Sequence, residues 1–410
     1  MKMSDYALSM TNKVFSILIG LLSSVFYIRY LGIEYKGTYS YIGEFAAVVT
    51  ILLTLGLHQS YAWQYRQGLK DRRGAYGCVF ALQFLLLSVL CAVLCLANRD
   101  MLFVLIASQL PVLVLRSELE SVMLVENLRA YLIGDMVFKT VLCGLYFILW
   151  RFFPVNLAFL VYPVLAVRFL ECLYWVRAAH LRPGKADPKF LCQILRFGFL
   201  PMLSLLLVTF NYTLDIFFLK RLGTDRELSI YTLSALIINY VWVIPNAFKE
   251  VLTSKFARAN DEEAVRLCVK CPAILTLIVL VAFALVGKPL ISLVFGDAFS
   301  PAWQVTLILF VGAFPMILYK MMGVVFLTEG KRMLYFMPLL ISAAVNAAAN
   351  LYAIPRFGMY GAALSSVLSY SLCGCLFLFL YCREKQVRAK DYILPTRADL
   401  KAMRDMLLRK

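Results

Sequence analysis

The recurrence of apolar stretches, each about as long as a bilayer is thick, constrains this chain more than any other feature. Twelve are legible, near residues 8–31, 37–62, 75–97, 101–124, 130–150, 155–176, 197–219, 228–248, 270–294, 301–326, 333–354 and 359–381. A membrane-spanning helix takes ~20 predominantly apolar residues, so twelve of them account for most of a 410-residue chain. Hydrophobic residues make up 62% of the sequence and charged residues 16%, against roughly 45–50% and 25% in soluble domains. A water-soluble core cannot hide that much apolar surface, so lipid has to be the solvent. The expected fold class is an all-α polytopic membrane protein with about twelve transmembrane helices. The first apolar run lacks a small-residue cleavage site and reads as a retained helix rather than a removed signal peptide.

The basic residues set the topology. The chain carries 41 Lys and Arg against 24 Asp and Glu, a net charge of +17. With the N-terminus cytoplasmic, 27 of the 41 fall on the cytoplasmic side and nine on the other, Lys36 among the nine. Five lie within spans. Basic loops stay cytoplasmic, so both termini are placed there, and the positive charge needs no nucleic-acid partner. The organisation expected is an N-terminal six-helix half over 1–180, a basic cytoplasmic linker over 181–196, a C-terminal six-helix half over 197–382 and a basic cytoplasmic tail over 383–410. A weak internal repeat supports two halves. Arg29-Tyr30-Leu31-Gly32 follows the first span and Lys220-Arg221-Leu222-Gly223 the seventh, and parallel repeats are a recurrent transporter plan. Most of the eleven cysteines sit in apolar runs as small buried hydrophobes. Cys268 and Cys271 form one CxxC pair, but a structural zinc needs four ligands, so no metal or other cofactor is expected.

Several chemistries find no motif here. The chain has no phosphate-binding G-x-x-x-x-G-K-[ST], no H-E-x-x-H and no serine triad pattern, and it has only two histidines. A carrier driven by an ion gradient, the membrane potential or the substrate's own gradient is expected instead of an ATPase or hydrolase. The informative residues are therefore charges inside spans, each of which costs about 2.5–3.5 kcal/mol at a helix centre if it faces lipid. Lys13, Arg116, Lys139, Arg168 and Lys320 are the candidates for an anion-binding, cationic interior. Lys139 has Asp135 at i−4, Arg168 has Glu171 at i+3 and Arg116 has Glu120 at i+4, so intrahelical neutralisation is the competing reading for these three. Lys13 and Lys320 have no carboxylate in helical reach; their competing reading is snorkelling to an interface. Asp215 and Glu44 are candidates for binding a coupling ion, H+ or Na+. Asn346 and Asn350 lie in a run of small residues and either line a cavity or glue helices together. Pro111, Pro163, Pro245 and Pro315 fall mid-span, where each removes a backbone hydrogen bond.

A family resemblance rests on three segments. Residues 29–40 (RYLGIEYKGTYS) resemble the first-loop pattern R-x-L-G-x-x-x-x-G-x-Y of polysaccharide flippases in the multidrug/oligosaccharidyl-lipid/polysaccharide (MOP) exporter superfamily. Asp215 followed by Leu222-Gly223 and Ile230-Tyr231 resembles their mid-chain pattern, and Pro245 resembles the proline of their eighth span. Residues 350–366 (NLYAIPRFGMYGAALSS) resemble the N-x-x-x-I-P-x-x-G-x-x-G-A-A hallmark between the last two spans. The resemblance implies a Wzx-type translocase of the bacterial inner membrane. Such a protein turns an undecaprenyl-pyrophosphate-linked oligosaccharide repeat unit (O-antigen, capsule or exopolysaccharide, hence lipopolysaccharide biosynthesis in some members) to the periplasmic face. The partners it implies are the lipid-linked oligosaccharide, the bilayer, and a polysaccharide polymerase or chain-length regulator. The alternative is an H+- or Na+-coupled multidrug antiporter of the same superfamily, which calls for acidic and aromatic groups around a cationic substrate.

Overall fold

A computed structural model describes residues 3–66, 73–256 and 262–393 of the chain. The tail beyond residue 393, and the basic residues of 67–72 and 257–261, lie outside the described residues. Within them every regular element is helical. Helix α1 spans Met3–Leu53, followed by a 3-10 turn over Leu57–Ser60, α2 (Tyr61–Arg66), α3 (Arg73–Ala97), α4 (Met101–Ala107), α5 (Leu110–Glu126), α6 (Leu128–Phe152) and α7 (Leu157–Ala178). Then come α8 (Pro188–Leu222), α9 (Asp225–Val241), α10 (Val243–Phe256), α11 (Glu262–Phe295), α12 (Ala302–Thr328), α13 (Arg332–Lys385) and the short α14 (Lys390–Ile393). Ten of these helical stretches are long and apolar enough to cross a membrane.

Glycine and proline explain where the long helices break. At 1.5 Å per residue, α1 and α13 would run about 76 and 81 Å if straight, far beyond a ~30 Å hydrocarbon core. Each is interrupted once by a glycine in a left-handed conformation, Gly32 (φ 62°) and Gly358 (φ 55°). Beyond Gly358, a side chain at Gly361 would strike the Ala353 carbonyl at 2.3 Å. The two glycines of the I-P-x-x-G-x-x-G segment are thus required for different reasons, Gly358 for its backbone angle and Gly361 for clearance. Of the mid-span prolines, Pro111 and Pro245 sit just after breaks: α4 gives way to α5 around Ser108–Gln109, and α9 to α10 at Trp242. Pro163 and Pro315 stay inside continuous helices.

The chain divides into two compact units, Met1–Thr209 and Phe210–Lys410, with the division inside α8. The stretch Pro188–Arg196, within the linker expected from the basic residues, is already the first turns of that helix. In the first unit α1 lies along α6, α6 along α7, and α5 packs on both α3 and α7. Its largest core joins Tyr76, Phe80, Leu119, Val122, Trp175 and Phe190. In the second unit α12 is central, contacted by α9, α10, α11 and α13. Two-thirds of its apolar window is buried, against 17% for α3. Helix α3 instead turns Leu82, Leu85, Leu86, Val89, Val93 and Leu96 outward, all more than half exposed. A helical stripe of bare leucine and valine on this scale is a lipid-facing surface, and the protein is a multi-pass membrane protein.

Two corrections concern lysines. Lys36, expected in an outer loop, lies in the second segment of α1 and is 1% exposed. Lys270, counted from the sequence with the basic cytoplasmic residues of 249–270 although it opens the 270–294 stretch, is 2% exposed within α11. In both cases the helix runs through the polar residues on which the apolar stretch was ended.

One close approach in the first unit gives a direct test. A side-chain carbon at Gly198 of α8 would lie 2.1 Å from the carbonyl oxygen of Gly56, which itself has φ +68° in the turn after α1. Backbone meets backbone here, so nothing flexible can give. Gly198→Ala is expected to destabilise the protein by about 2 kcal/mol, read as a lowered thermal midpoint in detergent. Gly144→Ala on α6 meets nothing within 4 Å and is expected to leave the midpoint unchanged.

Candidate functional site

The in-span charges fall into separate settings. In the first unit, Arg116 on α5 donates from Nε to Glu171 Oε2 on α7 at 2.9 Å and reaches Glu120 at 3.5 Å. Arg168 Nη1 meets the same Glu171 oxygen at 3.0 Å. Glu171 is buried, while the two arginines keep about a quarter of their side-chain surface open. Arg116 also lies over the Trp175 ring, 5.2 Å from its centre, and Tyr131 donates to Glu120 at 2.8 Å. All three intrahelical pairings expected from spacing form, and a tertiary bridge from Arg116 to Glu171 joins two of them into one cluster. Lys139 pairs with Asp135 at 2.7 Å and donates to Ser16 Oγ on α1 at 2.8 Å. Lys13 is exposed on α1. Glu44 is half-buried and acts electrostatically on buried Lys36.

Lys320 is placed differently. It projects from α12, the central helix of the second unit, and donates to Asn246 Oδ1 on α10 at 2.9 Å. Its ammonium lies 4.8 Å from the Trp242 ring centre and 5.7 Å from that of Tyr212. Among the described residues no carboxylate pairs with it. Lys249 is near enough to repel it. Asn246 is exposed and Lys320 and Lys249 are half-buried, so the group is open on one side. The Tyr212 hydroxyl has no hydrogen-bond partner and is left over as a donor. Two cations, two aromatic faces, an amide and a phenol suit an anion carried on a polar, ring-bearing body. Of these residues only Lys320 stood out in the sequence. Lys249 falls one residue past the 228–248 apolar stretch, yet Trp242, Asn246 and Lys249 recur at i, i+4 and i+7, the spacing of one helix face.

Asp215 on α8 forms a third setting. It is 1% exposed, and its Oδ2 accepts hydrogen bonds from Tyr231 on α9 and from Ser366 on α13, the latter at 2.7 Å. Its Oδ1 has no partner. A polar seam lies in the same unit. Ser342 donates to Asn211, Asn346 Nδ2 to Ser369 at 3.0 Å, and Asn350 Nδ2 to Asn346 Oδ1 at 2.9 Å. Ser342, Asn346, Asn350 and Ser369 are fully buried, the placement of residues that join helices. No group of three or more metal-binding side chains occurs among the described residues.

The fold is shared with solved membrane transporters, several of them of the MOP superfamily. The inward-closed lipid II flippase MurJ is similar with a TM-score of 0.79 at 13% identity, over 98% of this chain and 92% of that one. An inward-facing MATE-family multidrug resistance transporter gives 0.68 at 14% identity, over 93% and 96%. A MOP transporter from Pyrococcus furiosus, noted for a binding pocket of reversed polarity, gives 0.62 at 14%, over 92% and 94%. No curated protein matches the chain at the sequence level. The model of the polysaccharide biosynthesis protein family matches residues 34–304, roughly two-thirds of the chain, and the protein belongs to that family.

Proposed function

We propose that this protein is a flippase that carries an undecaprenyl-pyrophosphate-linked oligosaccharide repeat unit from the cytoplasmic to the outer face of a bacterial inner membrane by alternating access. The observation that carries this reading is Lys320, a cation without a carboxylate on the most enclosed helix of its unit, with Lys249 beside it. A diphosphate crossing lipid needs fixed positive charge in a wet site, and a cationic drug would be repelled by the same pair. Membership of a polysaccharide biosynthesis family and a fold shared with a lipid II flippase support the reading. The breaks of α1 at Gly32 and of α13 at Gly358 support a reading of the ten candidate stretches as twelve crossings. On that reading both termini lie on one side, and the basic loops favour the cytoplasmic one. A substrate-binding role is also proposed for Lys13, Arg116, Lys139 and Arg168 of the first unit. Asp215 and Glu44 are the proposed sites of ion coupling.

Deleting the gene tests this. Lipid-linked oligosaccharide is expected to accumulate on the cytoplasmic face and to clear when the wild-type gene is restored. Unchanged surface glycan with new sensitivity to cationic drugs would instead establish the antiporter reading.

A further inference from the structure

One buried acid takes no part in the sites above. Glu118 lies on α5 and is fully buried, and neither of its carboxylate oxygens has a hydrogen-bond partner. Its neighbours along the helix, Arg116 and Glu120, are taken up by Glu171 and Tyr131. Several ionisable groups of the packed elements are engaged elsewhere, Arg168 with Glu171, Lys139 with Asp135, Lys36 with Glu44, Tyr61 with Glu126 and Tyr76 with Ser60, whereas His58 on the turn is buried with its Nδ1 unpartnered. Among the described residues no charged group acts on Glu118. Burial without a partner disfavours the charged carboxylate against the neutral acid.

A second observation points the same way. Thr50 Oγ1 on α1, His58 Nδ1 on the turn and both amide atoms of Gln64 on α2 are buried without partners. All three elements pack against α5. Buried polar atoms are ordinarily satisfied, so α5 and three elements packed on it each carry an unmet buried polar group within the first unit.

We propose that Glu118 is a hydrogen-ion binding site of the first unit, separate from Asp215 in the second. The proton adds to a carboxylate oxygen to give the neutral acid, and it leaves to water when the unit opens. A sodium ion would need several oxygen ligands, and among the described residues no hydroxyl or amide group lies within hydrogen-bond reach of the Glu118 carboxylate. The inference rests on the carrier reading only for its use in transport; proton binding itself is measured without any substrate.

The test is infrared difference spectroscopy of the full-length protein in lipid vesicles, titrated from acidic to alkaline buffer. A carbonyl band of a protonated carboxylic acid is expected to titrate in the wild type. It should vanish in Glu118→Gln and persist in Asp215→Asn. If Glu118→Gln fails to insert, the wild-type chain labelled with 13C-glutamate replaces it, and the band must shift with that label and not with 13C-aspartate. A band that survives Glu118→Gln, or that follows the aspartate label, overturns the proposal. So does a band removed by sodium at constant pH.

Discussion

Lys320→Ala is expected to slow translocation of lipid-linked oligosaccharide by about 30-fold or more in reconstituted vesicles. Removing one partner of a desolvated, hydrogen-bonded charge pair costs about 2 kcal/mol at the low end, and about 1.4 kcal/mol is tenfold. The lysine here has Asn246 and two aromatic rings around it and, among the described residues, no acid to compensate. All of its charge is therefore available to an anionic headgroup. Lys320→Arg keeps the charge in a bulkier, planar form and is expected to retain activity within a few-fold. Raised salt should weaken the wild type more than Lys320→Ala, because only the wild type has the ammonium to screen. Translocation by Lys320→Ala at the wild-type rate would remove this residue from the site.

The largest stability effect is expected at Glu171. Its buried carboxylate holds Arg116 of α5 and Arg168 of its own helix at once. Glu171→Ala leaves two guanidinium groups facing each other in a partly desolvated place, a loss of about 3 kcal/mol. Arg168→Met should lose much less, since Arg116 still neutralises the acid. The Asp135–Lys139 pair follows one helix with its lysine a third exposed, and breaking it is expected to cost only about 0.5 kcal/mol. Thermal midpoints of the three variants in one detergent give the ranking. Equal midpoints for Glu171→Ala and wild type would show that the cluster does not hold α5 to α7.

The periodicity of one helix was readable along the chain, and contacts between helices were not. Asp135–Lys139, Arg168–Glu171 and Arg116–Glu120 pair as their spacing requires, because three or four residues bring side chains to one face. Arg116 to Glu171 spans 55 positions, and nothing local encodes it. Span ends were blurred for a physical reason. Hydropathy falls at a charged residue, but a helix buried among neighbours runs on through it, as at Lys36 and Lys270. The same effect moved Lys249 out of the spans and concealed half of the cationic pair. Asp215 was visible as an acid in an apolar helix, but its partners Tyr231 and Ser366 come from two other helices. Gly32 and Gly358 were legible as motif positions, and their backbone angles supply the reason for the motif.

The central position of α12 has a consequence for biosynthesis. The ribosome delivers this helix before α13, the helix with which it shares its most extensive packing. For that interval its buried surface, Lys320 included, meets lipid or the insertion machinery instead of protein. Its 27 residues must therefore be greasy enough to partition with a lysine aboard, and their mean hydropathy of 1.9 over the best window shows that they are. Folding order thus limits how much more charge evolution can add to this helix: a second ammonium on α12 would have to enter the bilayer before its protein surroundings exist.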